Sequence, residues 1–109
     1  MSRLPRRYLL VRIVSEQAVS EEQFSDAFMS AVRMNFGEIG FARIDPKLVR
    51  FDAGRLLAVV ACKASTVSEL EAAVALISGY SGVAAATLVL RVSGTIKGLR
   101  ARLAKQRRS

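Results

Sequence analysis

Hydrophobic positions along this chain alternate between short apolar runs and longer stretches carrying an apolar stripe every three to four residues. The run RRYLLVRIV, which ends at Val14, is rich in β-branched and large apolar side chains on both faces and predicts a central strand. Ser20 then opens a helix. Ser20 and Gln23 have the spacing in which each side chain bonds the other's backbone amide. Phe24, Ala27, Phe28, Ala31 and Val32 follow as one stripe, and Gly37 supplies a stop. GEIGFARIDP, ended by Pro46, reads as either a short helical turn or a loop.

A hairpin comes next, with strands at Leu48 to Phe51 and Leu56 to Cys62 and Asp52-Ala53-Gly54 turning between them. Thr66 to Glu69 repeats the capping spacing, Leu70, Ala73, Val74 and Ile77 make a second helical stripe, and Gly79 ends it. Val83 to Val92 predicts a fourth strand. Beyond Ser93-Gly94-Thr95, the spacing of Ile96, Leu99 and Leu103 predicts a third helix. The order β-α-β-β-α-β, with two right-handed crossovers joined by a hairpin, defines an α+β ferredoxin-like (RRM-like) sandwich: an antiparallel four-stranded sheet, two helices on one face, and an added C-terminal helix. The whole of 1–109 reads as a single domain, with a basic N-terminal segment 1–7 and a basic C-terminal helix 95–108. Apolar residues on both faces of the strands imply a cover for the outer sheet, either the C-terminal helix or a partner.

At 51% apolar residues, 109 positions supply a core. LLAVVAC, Leu56 to Cys62, is the longest apolar run and falls well short of the ~20 residues of a membrane span. The basic, apolar start resembles a leader, but Arg12 interrupts it and no small-residue cleavage site follows, so a mature cytoplasmic protein is expected. Cys62 is the sole cysteine, which leaves no internal disulfide and suits a reducing compartment. The net charge of +8 is unevenly spread: four Arg and no acid in residues 1–12, six basic and nine acidic residues in 13–71, seven basic and no acid in 72–109. Basic ends around a slightly acidic middle point to a polyanion, nucleic acid before membrane.

The chemistry of catalysis is missing. There is no His, so Cys/His zinc sites and His-based triads are excluded. Of nine carboxylates, Glu21, Glu22, Glu69 and Glu71 fall in first helical turns, where the helix dipole favours acid, and Asp45 and Asp52 sit at turns. No catalytic residue, protein-bound metal or protein-bound cofactor is expected. RNA-recognition domains of this fold stack bases on aromatics of the two central strands. Here Tyr8 is available but RLLAVVAC holds no aromatic, so contacts to RNA should be electrostatic and to the backbone.

Ser93-Gly94-Thr95 has two readings. Ser93 or Thr95 can serve only as a helix N-cap. Alternatively, Gly94 bares its amide in front of a helix N-terminus, an anion site by geometry, with Lys97 and Arg100 within one turn. Lys97, Arg102, Lys105 and Arg108 spread over the side away from Ile96, Leu99 and Leu103, and Arg100 and Arg107 flank the stripe. So many like charges without an acid repel one another until a polyanion relieves them.

RRYLLVRIV, FGEIGFA (Phe36 to Ala42), ALISGYSG and above all RVSGTIKGLRARL resemble, in order and across essentially the whole chain, the ribonuclease P protein component 2 family, which archaea have and to which a eukaryotic subunit is related. The resemblance implies a non-catalytic subunit of ribonuclease P, the ribonucleoprotein that removes the 5′ leader from precursor tRNA. In that family the catalyst is an RNA using Mg2+, the protein supports the RNA's catalytic domain and meets precursor tRNA indirectly, and its partner is ribonuclease P protein component 3, two copies of each being able to form a heterotetramer. Carried over, Arg6, Arg7 and Tyr8 are the N-terminal signature and Ser93, Gly94 and Thr95 the turn; the charge pattern adds Arg3, Lys97, Arg100, Arg102, Lys105, Arg107 and Arg108 to the RNA-binding candidates. One departure is Ala61, where the family pattern leads us to expect Arg before the Cys. A basic ribosomal protein and a ferredoxin-like small-molecule regulatory module are the alternatives. The first usually carries longer disordered basic extensions, and the second has no need of an acid-free C-terminal third.

Overall fold

The computed structural model describes residues 5–99. In chain order its elements are β1 (Arg6–Val14), α1 (Glu21–Ile44), β2 (Lys47–Asp52), β3 (Leu57–Lys63), α2 (Val67–Ala75), β4 (Gly79–Tyr80), β5 (Val83–Ala84) and β6 (Ala86–Ser93), with a 3₁₀ turn at Ala64–Thr66 between β3 and α2. Four strands form one antiparallel sheet in the order β2-β3-β1-β6, the ferredoxin-like arrangement, with the apolar β1 at its centre as its sequence predicts. Residues 96–99 begin the predicted C-terminal helix; Arg100 onward, like Met1 to Leu4, lies outside the described residues.

The core lies between the sheet and the two helices. Leu9, Val11 and Ile13 of β1 and Ala58, Val60 and Cys62 of β3 alternate onto this inner face, where Phe24, Phe28, Val32 and Ile44 of α1 and Leu70, Ala73 and Val74 of α2 cover them. Phe24 is its aromatic centre: its ring lies 5.8 Å from Phe28, 5.6 Å from Phe51 and 6.0 Å from Tyr80. Tyr80 is buried with its hydroxyl hydrogen-bonded to that of Thr87 on β6, so its polar tip is satisfied; burial pushes the phenol's pKa up, as it does that of the Cys62 thiol.

Five local expectations are amended. Gly37 breaks α1 at φ 70°, ψ −176°, a conformation glycine reaches without strain, but the helix resumes and runs to Ile44 because Gly40 and Ile44 still face the core. GEIGFARI is therefore helical rather than a loop. The box at Ser20 and Gln23 forms as drawn, with Gln23 N–H donating to Ser20 Oγ and Ser20 N–H to Gln23 Oε1, whereas Thr66 and Glu69 form none. Thr66 Oγ1 donates instead to the Lys63 carbonyl across the 3₁₀ turn. Finally, α2 ends at Ala75, ahead of Gly79, and Val83–Ala84 does not join the main sheet. It pairs with Gly79–Tyr80 as a separate two-stranded hairpin. A side chain at Gly79 would bring Cβ within 2.7 Å of the Val83 carbonyl, so this close approach needs glycine.

The outer face carries a second, smaller apolar cluster of Leu10, Leu57, Val59 and Leu99, flanked by Tyr8 and Leu90. A bulge between Leu10 and Val11 leaves Leu90 as the extra residue on β6 and lets it join this side. Leu99 is fully buried there, so the start of the C-terminal helix supplies part of the cover that the two-faced strands imply.

Candidate nucleic-acid interface

The antiparallel register of β1 and β6 places Tyr8 opposite Ser93, Leu9 opposite Val92 and Leu10 opposite Arg91. The start of the chain and the Ser93-Gly94-Thr95 turn, far apart in sequence, thus share one end of the sheet. Arg6 lies opposite Lys63 of β3 at the same end. The corner so formed holds Arg6, Arg7, Lys63, Arg91 and Lys97, of which Arg91 and Lys97 are exposed.

These cations do different work. Arg6 is tied down: its Nη1 donates to Asp45 Oδ2 at 3.0 Å and its Nη2 to the Asp45 carbonyl at 2.9 Å. Asp45 is the left-handed C-cap of α1, at φ 50°, so Arg6 fastens the helix end to the sheet. Arg7 Nη1 donates to the Arg6 carbonyl at 3.1 Å and lies 3.8 Å from where a side chain on Gly94 would begin. A guanidinium therefore stands beside the exposed glycine of the turn. Tyr8 is half-buried against the outer cluster.

Inside the turn both hydroxyls cap. Thr95 N–H donates to Ser93 Oγ and Gly98 N–H to Thr95 Oγ1, each at 3.2 Å. A Cβ on Gly98 would meet Ser93 Oγ at 2.6 Å, so a second glycine keeps this cap tight. Capping and anion binding are compatible here, since the hydroxyls face the helix while Gly94, Thr95 and Lys97 remain exposed. Arg3, Arg100, Arg102, Lys105, Arg107 and Arg108 lie outside the described residues. Lys63 was overlooked in the sequence because only the β1–β3 register brings it to Arg6. Ala61 is buried opposite Tyr8, a place with no room for an exposed cation.

Besides Asp45, three carboxylates are paired away from the corner. Glu69 accepts from Arg43 at 2.7 Å, Asp52 from Arg55 at 3.0 Å and Glu38 from Arg33 at 3.2 Å. The hydrogen bond from Arg43 holds the Glu69 carboxyl below its ordinary range, and that from Arg55 does the same for Asp52. Among the described residues no three His, Cys, Asp or Glu side chains gather to hold a metal, and no helix is long and apolar enough to cross a membrane.

Fold and corner together define a small α+β protein of the ferredoxin-like class, with Arg6 and Arg7 from one end of the sequence and Arg91 and Lys97 from the other gathered at one end of its sheet. The chain belongs to the Rpp14/Pop5 family, whose model matches residues 7–104. It is 30% identical to "Ribonuclease P protein component 2" of Pyrococcus furiosus over 93% of this chain and 84% of that protein. To the protein of the same name from Archaeoglobus fulgidus it is 34% identical, over 84% of this chain and 82% of the relative. A chain in the cryo-EM structure of yeast ribonuclease MRP shares the fold, with a TM-score of 0.69 over 99% of this chain and 95% of that one at 11% identity.

Proposed function

We propose that this chain is a non-catalytic protein subunit of ribonuclease P, acting in tRNA processing by supporting an RNA catalyst in removal of the 5′ leader from precursor tRNA. Family membership over residues 7–104 supports this reading. The observation that carries it to particular residues is the meeting of Arg7 with the Gly94 turn, which joins the two acid-free ends of the chain into one basic surface. In this reading, phosphates of the ribonuclease P RNA take the place of the missing counter-charges. Arg7 and Lys97 hold a phosphate against the turn. Arg6 positions the strand and helix end through Asp45. Magnesium belongs to the RNA, and ribonuclease P protein component 3 is the protein partner, in a heterotetramer of two copies of each, in the cytoplasm.

Reconstitution tests it. The protein alone should leave precursor tRNA intact. Added to ribonuclease P RNA, magnesium and component 3, it should speed cleavage or lower the magnesium needed. Robust cleavage by the protein without RNA, or no effect on the reconstituted RNA, would overturn the reading. Sequencing RNA that co-purifies separates it from the alternatives: one structured RNA is expected, ribosomal RNA would point to a ribosomal protein, and no RNA to a metabolite module.

A further inference from the structure

The two helices and the outer face of the sheet carry opposite charge. Four carboxylates stand on α1 and two on α2, against Arg33 and Arg43. The outward residues of the strands include one carboxylate among those described, Asp52, and Arg55 holds it at 3.0 Å. Strand register sets the cations of this face in rungs. Lys47 of β2, Ala61, Tyr8 and Ser93 share one rung, and Arg50, Val59, Leu10 and Arg91 share the next. Lys47 and Arg50 therefore stand on one edge of the sheet. Arg91 and the Ser93 turn, with Lys97 behind it, stand on the other. All four cations are exposed, and none has a carboxylate partner among the described residues. Lys47 and Arg50 belong to the slightly acidic middle of the sequence, so the charge pattern along the chain does not single them out.

Three interstrand spacings separate the two edges, roughly 14 Å. Between them lie Ala61, Leu10 and Val59, at most 3% exposed, the last two packed with Leu99. This closed ridge has no slot for a base and no side-chain donor for a phosphate. A single strand laid across the rungs would set phosphates on the ridge, where they lose water and gain no partner. Laid along one edge, it would meet one pair of cations and leave the other pair unused. Two backbones held apart meet both edges at once. We infer that the outer face takes a segment of double-stranded RNA, one backbone on Lys97 and Arg91 beside the Gly94 corner, the other on Lys47 and Arg50. Duplex RNA is recognised by its shape, through phosphates and 2′-hydroxyls across a wide, shallow minor groove, and an apolar ridge between two rows of cations matches that form. The inference rests on the ribonuclease P reading, in which RNA is the partner, and adds a second backbone contact, on β2, to the one at the corner.

The test compares a blunt RNA duplex of ~16 base pairs with one of its strands, by fluorescence anisotropy on the full chain over a range of salt. For the wild type, the slope of log affinity against log salt should be steeper with the duplex by about two contacts, roughly 0.7–0.9 each. Lys47→Ala combined with Arg50→Ala should remove that difference and leave the single-strand slope unchanged. Lys97→Ala should flatten both slopes. Arg33→Ala combined with Arg43→Ala takes the same charge from the helices and should alter neither. Should the β2 pair not fold, Lys47→Gln alone carries the test and should flatten the duplex slope by about one contact. Equal wild-type slopes for duplex and strand would overturn the duplex site and leave the ribonuclease P reading standing. A duplex slope that survives the loss of Lys47 and Arg50, or that falls equally with Arg33 and Arg43, would overturn it in the same way. Failure of the wild type to bind either RNA would overturn both.

Discussion

Leu9, Val11 and Ile13 on one side of β1 are at most 2% exposed beneath two helices, whereas on the other side Leu10, equally buried, belongs to a cluster of only four buried residues among those described, with Tyr8 packed at its edge. The two faces come from the same strands, and period-two alternation assigns each residue to its side. What differs is the cover. The inner face is closed by α1 and α2, whose stripes present Phe24, Phe28, Val32, Leu70 and Val74, and it holds the fold together. The outer face has Leu99 as its fully buried cover residue among the described residues, with Tyr8 and Leu90 packed at the edge of its cluster. Both faces are therefore closed over their apolar residues, the inner by two long stripes and the outer by a small cluster that ends at Leu99 among the described residues.

Substitutions that remove volume should separate the faces by size. Phe24→Ala takes a ring from the stacked centre of the inner core and should cost about 3–5 kcal/mol in denaturant unfolding. Leu99→Ala empties the smaller cluster, which has fewer neighbours to hold a cavity open, and should cost ~2–3 kcal/mol, toward the low end of the leucine range. A larger loss from Leu99→Ala than from Phe24→Ala would mean that the outer face, not the inner, organises the fold.

The strands, the first helix and the order of elements were legible because each rests on a local pattern that tertiary packing reinforces. Where the reading failed, two local patterns looked alike and the chain's path decided between them. Ser20 and Thr66 both precede Glu- and Gln-bearing first turns, but Ser20 is extended at φ −82°, ψ 162°, which lets its hydroxyl face the helix amides. Thr66, at φ −118°, ψ 18°, is already inside a turn that leads directly out of β3, and its hydroxyl goes back to Lys63. Gly37 reads as the stop of the helix and is only a kink in it, because apolar residues downstream recover the helix. The site was legible as two lists of cations. Their meeting was not, because the pairing of Tyr8 with Ser93 is a register between strands almost the whole chain apart, and neither segment encodes it alone. Lys63 was missed for the same reason, and the tie between Arg6 and Asp45 could not be seen without the C-cap.

Smaller effects sharpen the contrast further. Ser20→Ala should cost about 1 kcal/mol by removing a true cap. Glu69→Gln removes no capping box from α2 and should weaken the contact to Arg43. Because Glu69 and Asp52 titrate below their ordinary values of 4.5 and 3.8 in the folded protein, their stabilisation is present above those values and is lost as pH falls through the lower, folded ones. In acid melts Arg43→Ala should therefore flatten part of the fall in melting temperature on the helix side, and Arg55→Ala part of it on the outer side. An acid limb unchanged by either substitution would show that these pairs do not report on their faces.

The central claim is that cations at the Gly94 corner meet phosphate, and the salt dependence of RNA affinity reads this directly. Each phosphate contact contributes roughly 0.7–0.9 to the slope of log affinity against log salt. Lys97 is exposed beside the turn, whereas Arg33 lies on α1, paired with Glu38 and 4.1 Å from the centre of the Phe41 ring. Measured in folded proteins against the same ribonuclease P RNA, Lys97→Ala should flatten the slope by about one contact and Arg33→Ala should leave it unchanged. Equal slopes for the two variants would return Ser93, Gly94 and Thr95 to a helix cap and contradict the account.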